Sequence, residues 1–275
     1  MNAANRKIWT WRLNYRRNRL AYWRSKKNIV NIDKWIKLVH QAEAKLKPAP
    51  PKPPTPQPKP PKPKPPIPPA NINARGVDVS SYQGDVNWAA VKKAGYSFGI
   101  CKTTESTNWT DPTWSKARVK AMRAAGVKIG VYHFLRPQVG RSGAAEAQFF
   151  IRQAKAMGWG ASSDLRPVID FEATTLNPHQ TFTYLSEVVA EIKKLNNGRA
   201  PIIYTGGPFW NENTNSSRDN LGCDLWLAAY VQNPNQYLPA AWPHGWAMWQ
   251  YSSTGRVSGI SGDCDVSHAK KFTCQ

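Results

Sequence analysis

Residues 167–172, Pro-Val-Ile-Asp-Phe-Glu, are the stretch that decides how this chain is interpreted. A short apolar run that ends in two carboxylates is typical of a buried strand. Because residues i and i+2 of a strand point to the same face, Asp170 and Glu172 are expected to project together, with Phe171 turned the other way. Two close carboxylates push their pKa values apart, so one remains a protonated acid while the other is ionised. Hydrolysis of a glycosidic bond requires such a pair.

Similar β-rich runs alternate with helical patterns over residues 75–275, which we interpret as one domain. The predicted strands are Gly76–Val79, Ser97–Cys101, Lys128–Phe134, Pro167–Phe171, Ala200–Tyr204, Leu225–Tyr230, Gly245–Tyr251 and Cys264–Val266. The predicted helices are Trp88–Lys93, Pro112–Ala125, Ala144–Met157 and Pro178–Asn197. The alternation predicts an α/β fold, an irregular TIM-like (β/α) barrel that lacks some helices after its later strands.

Acidic and aromatic residues recur where the predicted strands end, and strand ends carry the functional groups of such barrels. They are Asp78, Tyr132, His133, Phe134, Asp170, Glu172, Tyr204, Tyr230, Trp249, Gln250 and Tyr251, with Asp265 on the last strand. Flat aromatic faces beside carboxylates suit a sugar polymer, so the pattern predicts an acidic, sugar-binding cleft. We interpret His133 as a packing or hydrogen-bonding residue and Glu105 as a solvated loop residue.

The net charge of +21 is concentrated near the N-terminus. Residues 1–75 hold 18 Lys/Arg against 2 Asp/Glu, whereas the remaining residues hold 20 against 15. Between Pro48 and Pro69 lie 14 of the 23 prolines, interleaved with lysines. Proline lacks the N–H and fixes φ, so residues 48–74 are predicted to be a Pro/Lys-rich polyproline II linker.

Residues 1–47 combine Lys and Arg with Trp and Tyr, and apolar residues recur at helical spacing over residues 32–46. We therefore predict a small basic helical module, for which three ligands remain open. The first is an anionic cell-envelope polymer such as teichoic acid. The second is a membrane surface, and the third, which we rank last, is nucleic acid.

Features that would direct the chain to a membrane or to export are missing from the sequence. The basic N-terminus is not followed by the apolar segment of a signal peptide, and no run approaches about 18 apolar residues. We therefore expect a protein made in a host cytoplasm that reaches the cell wall by another route, and we expect it to be a monomer.

The four cysteines form no Cys-x-x-Cys pair, which argues against a zinc site. Cys101 falls in an apolar strand and is predicted to be a buried thiol. One disulfide could form among Cys223, Cys264 and Cys274, and the sequence does not decide whether it does.

Several motifs in order resemble the glycoside hydrolases of family 25, the Chalaropsis-type lysozymes of bacteria, fungi and phages. They are Gly76–Gly84 with Val86–Trp88, Gly130–Phe134, Pro167–Glu172, Ile202–Thr205, Leu225–Tyr230, Trp249–Ser252 and Asp263–Ser267. The resemblance spans about residues 75–270. It departs from the family at Ser267, where the motif usually has Asn, which makes the local hydrogen bonding of Asp265 less certain.

The resemblance implies an N-acetylmuramidase that cleaves the β-1,4 bond between N-acetylmuramic acid and N-acetylglucosamine in bacterial peptidoglycan, without a cofactor or metal. Glu172 would be the general acid, and Asp170 the nucleophile or a stabiliser of the substrate N-acetyl group. The other acidic cleft positions are Asp78 and Asp265. The sugar subsites would be lined by Tyr132, Tyr204, Trp226, Tyr230, Trp249 and Gln250. We predict a phage endolysin released through a holin; the alternative is a non-catalytic peptidoglycan-binding protein.

Overall fold

A computed structural model describes residues 74–270, together with Val39 and Glu43. Apart from those two residues, the predicted module at 1–47 lies outside the described residues, as do Cys274 and all of the predicted linker at 48–74 except Ala74. Within the described part of the chain, no helix combines the length and the apolar character needed to cross a bilayer.

Residues 74–270 contain nine strands and five α-helices. The strands are β1 (Ala74–Val79), β2 (Phe98–Glu105), β3 (Trp109–Thr110), β4 (Lys128–Phe134), β5 (Val168–Asp170), β6 (Ile202–Thr205), β7 (Asp224–Ala228), β8 (Met248–Gly255) and β9 (Cys264–Ala269). The helices are α1 (Trp88–Lys93), α2 (Lys116–Ala124), α3 (Gly143–Ala156), α4 (Pro178–Leu195) and α5 (Gly207–Asn213), followed by a 3₁₀ turn at Pro234–Tyr237. All eight predicted strands and four predicted helices are present, and β3, α5 and the 3₁₀ turn were not predicted.

Eight of the strands close into a mixed barrel, which confirms the predicted irregular TIM-like fold. Parallel pairing runs from β1 through β2, β4, β5, β6 and β7 to β8, and β9 closes the ring by pairing antiparallel with both β8 and β1. Strand β3 pairs only with the end of β2. Because β9 is reversed, its beginning lies at the barrel end where the other strands finish.

The helical layer is incomplete, as predicted. The β7–β8 connection carries only the 3₁₀ turn, and no helix lies between β8 and β9 in the described chain. The longer helices begin at clear caps. In α4, the Asn177 side chain accepts from Gln180 N at 2.9 Å while the Gln180 side chain accepts from Asn177 N at 3.3 Å. This reciprocal pair fixes the start of the helix that follows the carboxylate-bearing strand β5.

Side chains alternate between the inside of the barrel and the layer beneath the helices. The interior cluster contains Ala74, Phe98, Ile100, Leu165, Val168, Ile202, Tyr204, Trp226, Met248 and Ala269. The intervening strand residues, such as Cys101, Ile169, Ile203 and Trp249, join a larger cluster that includes the helices. Successive residues along each strand therefore face the barrel interior and the helical layer in turn.

Two glycines make room for the interior packing. A Cβ at Gly76 would lie 2.0 Å from the Phe98 ring, and one at Gly130 would lie 2.7 Å from Ile100 Cγ1. Both glycines pair in register with the bulky residue they accommodate. The barrel interior is thus filled by side chains, and polar groups are left to the end where the parallel strands finish.

Candidate active site

Four carboxylates meet at that end of the barrel. Asp78 and Asp265 are directly opposite each other on β1 and β9. Asp170 is the last residue of β5, and Glu172 follows two positions later. The ionisation of Asp78 is opposed by the charges of both Asp265 and Glu172, and that of Asp170 by Glu172 and Asp78. The predicted carboxylates therefore form one electrostatic group, assembled from the first, middle and last strands.

The residue between the two β5 carboxylates fixes their direction. Phe171 is fully buried in the helical layer and makes edge-on contacts with Phe209 and Trp210, at centroid distances of 5.0 and 6.0 Å. Its backbone N–H donates to Tyr204 O at 2.9 Å. Because Phe171 points outward and is held there, Asp170 and Glu172 project to the opposite side, as the alternation predicted.

Burial raises the pKa of all four carboxyls. It is the main cause that raises the pKa of Asp78 and of Asp170 well above the ordinary aspartate value, and neighbouring carboxylates add to the effect. Burial also raises the pKa of Asp265 to about 6. Glu172 is the most open to solvent of the four, yet desolvation by the surrounding cleft raises its pKa too. Carboxyls with raised pKa values are suited to holding a transferable proton.

Two cations lie on one side of the cleft and were not among the predicted site residues. Lys102 Nζ is 2.8 Å from Glu105 Oε2, and Arg136 binds Glu105 Oε1 through Nε at 2.7 Å. Their positive charges partly offset the effect of burial, so the pKa values of Asp170 and Glu172 are raised less than burial alone would raise them. The interpretation of Glu105 as a solvated loop residue was wrong, because it ends β2 and is held between these two cations.

Gln250 connects the acidic pair to two tyrosines. Its Nε2 donates to Asp78 Oδ1 at 3.1 Å and to Oδ2 at 3.0 Å. Its Oε1 accepts from the hydroxyls of Tyr204 at 2.9 Å and Tyr230 at 2.7 Å. The predicted role was substrate binding, but both ends of this buried amide are already bound to protein groups.

The predicted aromatic residues lie at different depths. Tyr230 is at the surface, 55% exposed, and Tyr132 is partly buried beside the carboxylates, whose charges raise its pKa together with burial. Tyr204 and Trp226 are buried in the barrel interior, edge-on at a centroid distance of 4.8 Å. Trp226 Nε1 donates to Ser267 Oγ at 3.1 Å, so the unusual serine has a defined partner. These two rings lie beneath the cleft.

The structure does not bring Trp249 to the cleft. It is fully buried in the helical layer, donates from Nε1 to Ala229 O at 2.6 Å, and contacts the rings of Trp246, Tyr251 and His268. The physical reason is strand alternation, because its neighbour Gln250 points inward to Asp78. The expectation that Trp249 lines a sugar subsite is therefore corrected: it is a core residue.

His133 lies in the same outer layer and takes no part in the cleft. Its Nε2 is 2.9 Å from Glu146 Oε2, and its Nδ1 is 2.8 Å from Thr104 Oγ1. Its ring stacks on Phe150 at a centroid distance of 5.3 Å. The interpretation of His133 as a packing and hydrogen-bonding residue is confirmed.

One exposed aromatic residue at the same barrel end was missed. Tyr82 is 92% exposed in the turn that follows β1, four residues after Asp78. The turn is fixed from both sides, since Asp111 Oδ2 accepts from Ser81 N at 2.9 Å and Arg118 donates to Gly84 O. The available signal was the turn's position directly after a strand that ends near a carboxylate.

The three described cysteines offer no nucleophile to this site. Cys101, Cys223 and Cys264 are buried free thiols in the described chain, which confirms the prediction for Cys101. Burial raises the pKa of Cys101 to about 11 and that of the other two to about 12. Because the thiolate is the reactive form, these groups are chemically inert at neutral pH. Chemistry at the cleft thus falls to the carboxylates.

Comparisons with known proteins agree with this arrangement. The model of the family described as glycosyl hydrolases family 25 matches residues 77–260. The chain is 37% identical over 201 residues to Lysozyme M1 of Streptomyces globisporus, a match that covers 70% of this chain and 66% of that protein. It is 32% identical over 206 residues to the N,O-diacetylmuramidase of Chalaropsis sp, covering 70% of this chain and 95% of that protein.

A solved structure shows the same fold. The bacterial lysozyme from Streptomyces coelicolor superposes with a TM-score of 0.64 at 35% identity, covering 72% of this chain and 91% of that one. The chain spans about two thirds of the length of Lysozyme M1 and nearly all of the Chalaropsis protein. The matched residues include Asp78, Asp170 and Glu172. From the barrel, the carboxylate group and these matches together, the chain belongs to glycosyl hydrolases family 25.

Proposed function

We propose that the protein is a peptidoglycan hydrolase, an N-acetylmuramidase that cleaves the β-1,4 bond between N-acetylmuramic acid and N-acetylglucosamine. The observation that carries this proposal is the outward-held Phe171, which turns Asp170 and Glu172 together into a cleft with Asp78 and Asp265. The relatives named lysozyme and N,O-diacetylmuramidase support the substrate class.

Glu172 is the general acid in this mechanism. It is more open to solvent than Asp170, and its raised pKa provides a proton for the leaving glycosidic oxygen. Asp170 is more deeply buried and receives the opposing charges of Lys102 and Arg136, which favour its ionised form. As an anion it attacks the anomeric carbon or stabilises the substrate N-acetyl group that attacks in its place.

Digestion of purified peptidoglycan tests the proposal. Borohydride reduction of the products, followed by sugar analysis, identifies the new reducing end, and we expect reduced muramic acid. Reduced glucosamine would mean that a different bond is cleaved. The absence of new reducing ends on every wall type would favour the alternative, a non-catalytic peptidoglycan-binding protein.

The matched variants for this digest are Glu172→Gln and Glu212→Gln. We expect Glu172→Gln to lower the rate by roughly 10²–10⁴-fold, because an amide has no proton to transfer. Its melting temperature should stay within a few degrees of the wild-type value. Glu212 is exposed on α5, so the same change there should leave the rate unchanged. Substantial activity in Glu172→Gln would remove this residue from the role of acid.

For the basic segment we propose an anionic cell-wall polymer as the ligand. The excess of Lys and Arg in residues 1–75 supports this choice, since a polyanion is the complementary partner. Binding of the full chain to walls should fall when teichoic acids are stripped, and a chain lacking residues 1–73 should be insensitive to stripping. Retention on anionic vesicles or DNA, but not on walls, would favour the other two ligands. Release through a phage holin and the monomeric state remain predictions from the sequence.

A further inference from the structure

Both ends of the Gln250 side-chain amide are bound to protein groups. Its amide oxygen accepts from two hydroxyls, and its amide nitrogen faces both oxygens of Asp78. The side chain is almost completely buried, and its strand neighbours are fixed by pairing of β8 with β7 and β9. With Oε1 held by two hydroxyl donors, Nε2 is directed at Asp78. Gln250 therefore orients the Asp78 carboxyl and donates a hydrogen bond to it.

The partner of Asp78 is another carboxyl. Asp265 lies directly across the β1–β9 pair, so the two carboxyls are opposed on the same face of the sheet, and burial raises the pKa of both. Two opposed carboxyls can hydrogen-bond only when they hold a proton between them, because neither anion can donate. The Gln250 amide supplies donors to Asp78 only, so charge and proton are distributed unequally over the pair.

Among the described residues, no cation is found among the groups that act on this pair. The groups that face Asp78 are Asp265 and Gln250 from the neighbouring strands, with Glu172, Asp170, Tyr132, Tyr204 and Tyr230 around them. Lys102 and Arg136 act on Asp170 and Glu172, on the other side of the cleft. Two full negative charges on Asp78 and Asp265 would therefore be unbalanced, whereas one charge has the Gln250 amide to stabilise it.

We propose that Gln250, with its amide fixed by Tyr204 and Tyr230, is a positioning residue that holds Asp78 and Asp265 as a pair sharing one proton, with one negative charge facing Glu172. This inference rests on the proposed function, because its consequence concerns the general acid. A negative charge on either member of the pair opposes ionisation of Glu172 and thereby helps to keep the acid protonated. A doubly protonated pair would remove that support.

The pH profile of hydrolysis tests this role. In Gln250→Leu, Asp78 loses its amide donor, and the pair takes up its second proton at higher pH. Because an uncharged pair no longer opposes ionisation of Glu172, we expect the alkaline limb of the kcat/KM profile, on which the acid loses its proton, to move down by about one pH unit. Tyr230→Phe removes one of the two hydroxyl donors at the exposed edge, and should shift the limb in the same direction by less. A merely structural role would lower activity without moving the limb.

A matched control separates this effect from the loss of a glutamine in general. Gln148 lies on α3, where its side chain donates to Glu191 at 2.9 Å, away from the cleft. Gln148→Leu should leave both the rate and the profile unchanged. If Gln250→Leu does not fold, Tyr230→Phe carries the test, since the side chain it shortens is half exposed. A Gln250→Leu or Tyr230→Phe profile that superimposes on the wild-type curve would overturn the proposal.

A second measurement does not depend on catalysis. Carboxyl ¹³C NMR of Asp-labelled Glu172→Gln protein, assigned with Asp78→Asn and Asp265→Asn, follows the pair directly. We expect two coupled steps, both moved to higher pH by Gln250→Leu. Independent titration of both groups in the ordinary aspartate range near 4 would refute the shared proton. If the wild-type enzyme shows no hydrolysis, the proposed function fails, while this titration still decides the pairing.

Discussion

Asp164, outside the cleft, and Asp170, within it, are both buried carboxylates, yet they are bonded differently. Asp164 is 1% exposed, and Arg123 binds it through both oxygens at 3.0 and 2.9 Å while Gly160 and Ala161 donate their backbone N–H groups. Asp170 is 8% exposed, and its Oδ1 has no hydrogen-bond partner among the described residues. The outer carboxylate stabilises the fold, whereas the cleft carboxylate is kept available for a substrate.

Among the variants that test this difference, Asp170→Asn is expected to have the largest effect. We expect hydrolysis to fall by at least two orders of magnitude, roughly as for other groups that act on the reacting atoms. Because burial raises the pKa of Asp170, its ionised form opposes folding at neutral pH, and a neutral amide should raise the melting temperature at pH 7. Calorimetry and the reducing-end assay on the same sample check both effects. A lowered melting temperature would show that Asp170 is structurally bonded after all.

The opposite outcome is expected for Asp164→Asn. Removing the charge weakens the bond to Arg123 and the two backbone hydrogen bonds, so the free energy of unfolding should fall by about 1–3 kcal/mol. Activity per folded molecule at 25 °C should be unchanged, because the residue lies outside the cleft. Urea unfolding measures the first quantity and active-site-normalised rates the second. A large loss of activity in a stable variant would contradict the division between the two regions.

The pH dependence of stability sharpens the comparison. Burial raises the pKa of Asp265 to about 6, above its unfolded value, so the protonated carboxyl stabilises the fold. That contribution is complete below about pH 4 and is lost as the pH rises through 6. Melting temperatures measured from pH 4 to 7 should therefore fall less steeply in Asp265→Asn than in the wild type. Parallel curves would show that Asp265 titrates normally.

The smallest effect is expected on the cationic side of the cleft. In Lys102→Met, a charge that lowers the pKa of Asp170 and of Glu172 disappears, so both pKa values should rise. The acid limb of the pH–rate profile should move up by a fraction of a unit, with a rate loss of a few-fold near pH 5. Lys120→Met on the exposed face of α2 is the control and should match the wild type.

Much of the fold could be predicted because parallel barrel strands are continuous apolar runs separated by amphipathic helices. The predicted β4 and α1 have the observed bounds. The prediction ended β2 at Cys101, where polar residues begin, yet pairing with β4 continues to Glu105 across a bulge. Lys102 and Glu105 were missed for that reason. The free-energy cost of burying Lys102 and Glu105 is offset by their ion pair and by the contact between Glu105 and Arg136. That second contact joins the ends of two different strands, and sequence periodicity does not predict it.

Two further features were not predicted: the face of the strand from which Trp249 projects, and the direction of strand β9. Motif position placed Trp249 with the sugar-binding residues, but its alternation with the inward-facing Gln250 sends it to the helical layer. The reversal of β9 was also not predicted, since a short apolar run has the same appearance in either direction. Asp265 nevertheless reaches the cleft, because the reversed strand begins at the end where Asp78 finishes β1.

That reversed closing strand also determines when the chain acquires its chemistry. Asp78 is translated early in the domain, whereas its partner Asp265 emerges from the ribosome only after nearly all the rest of the barrel. Until β9 inserts between β8 and β1, the barrel wall is open and the acidic pair does not exist. A nascent or C-terminally truncated barrel therefore lacks part of its active site, which ties the start of activity to completion of the domain.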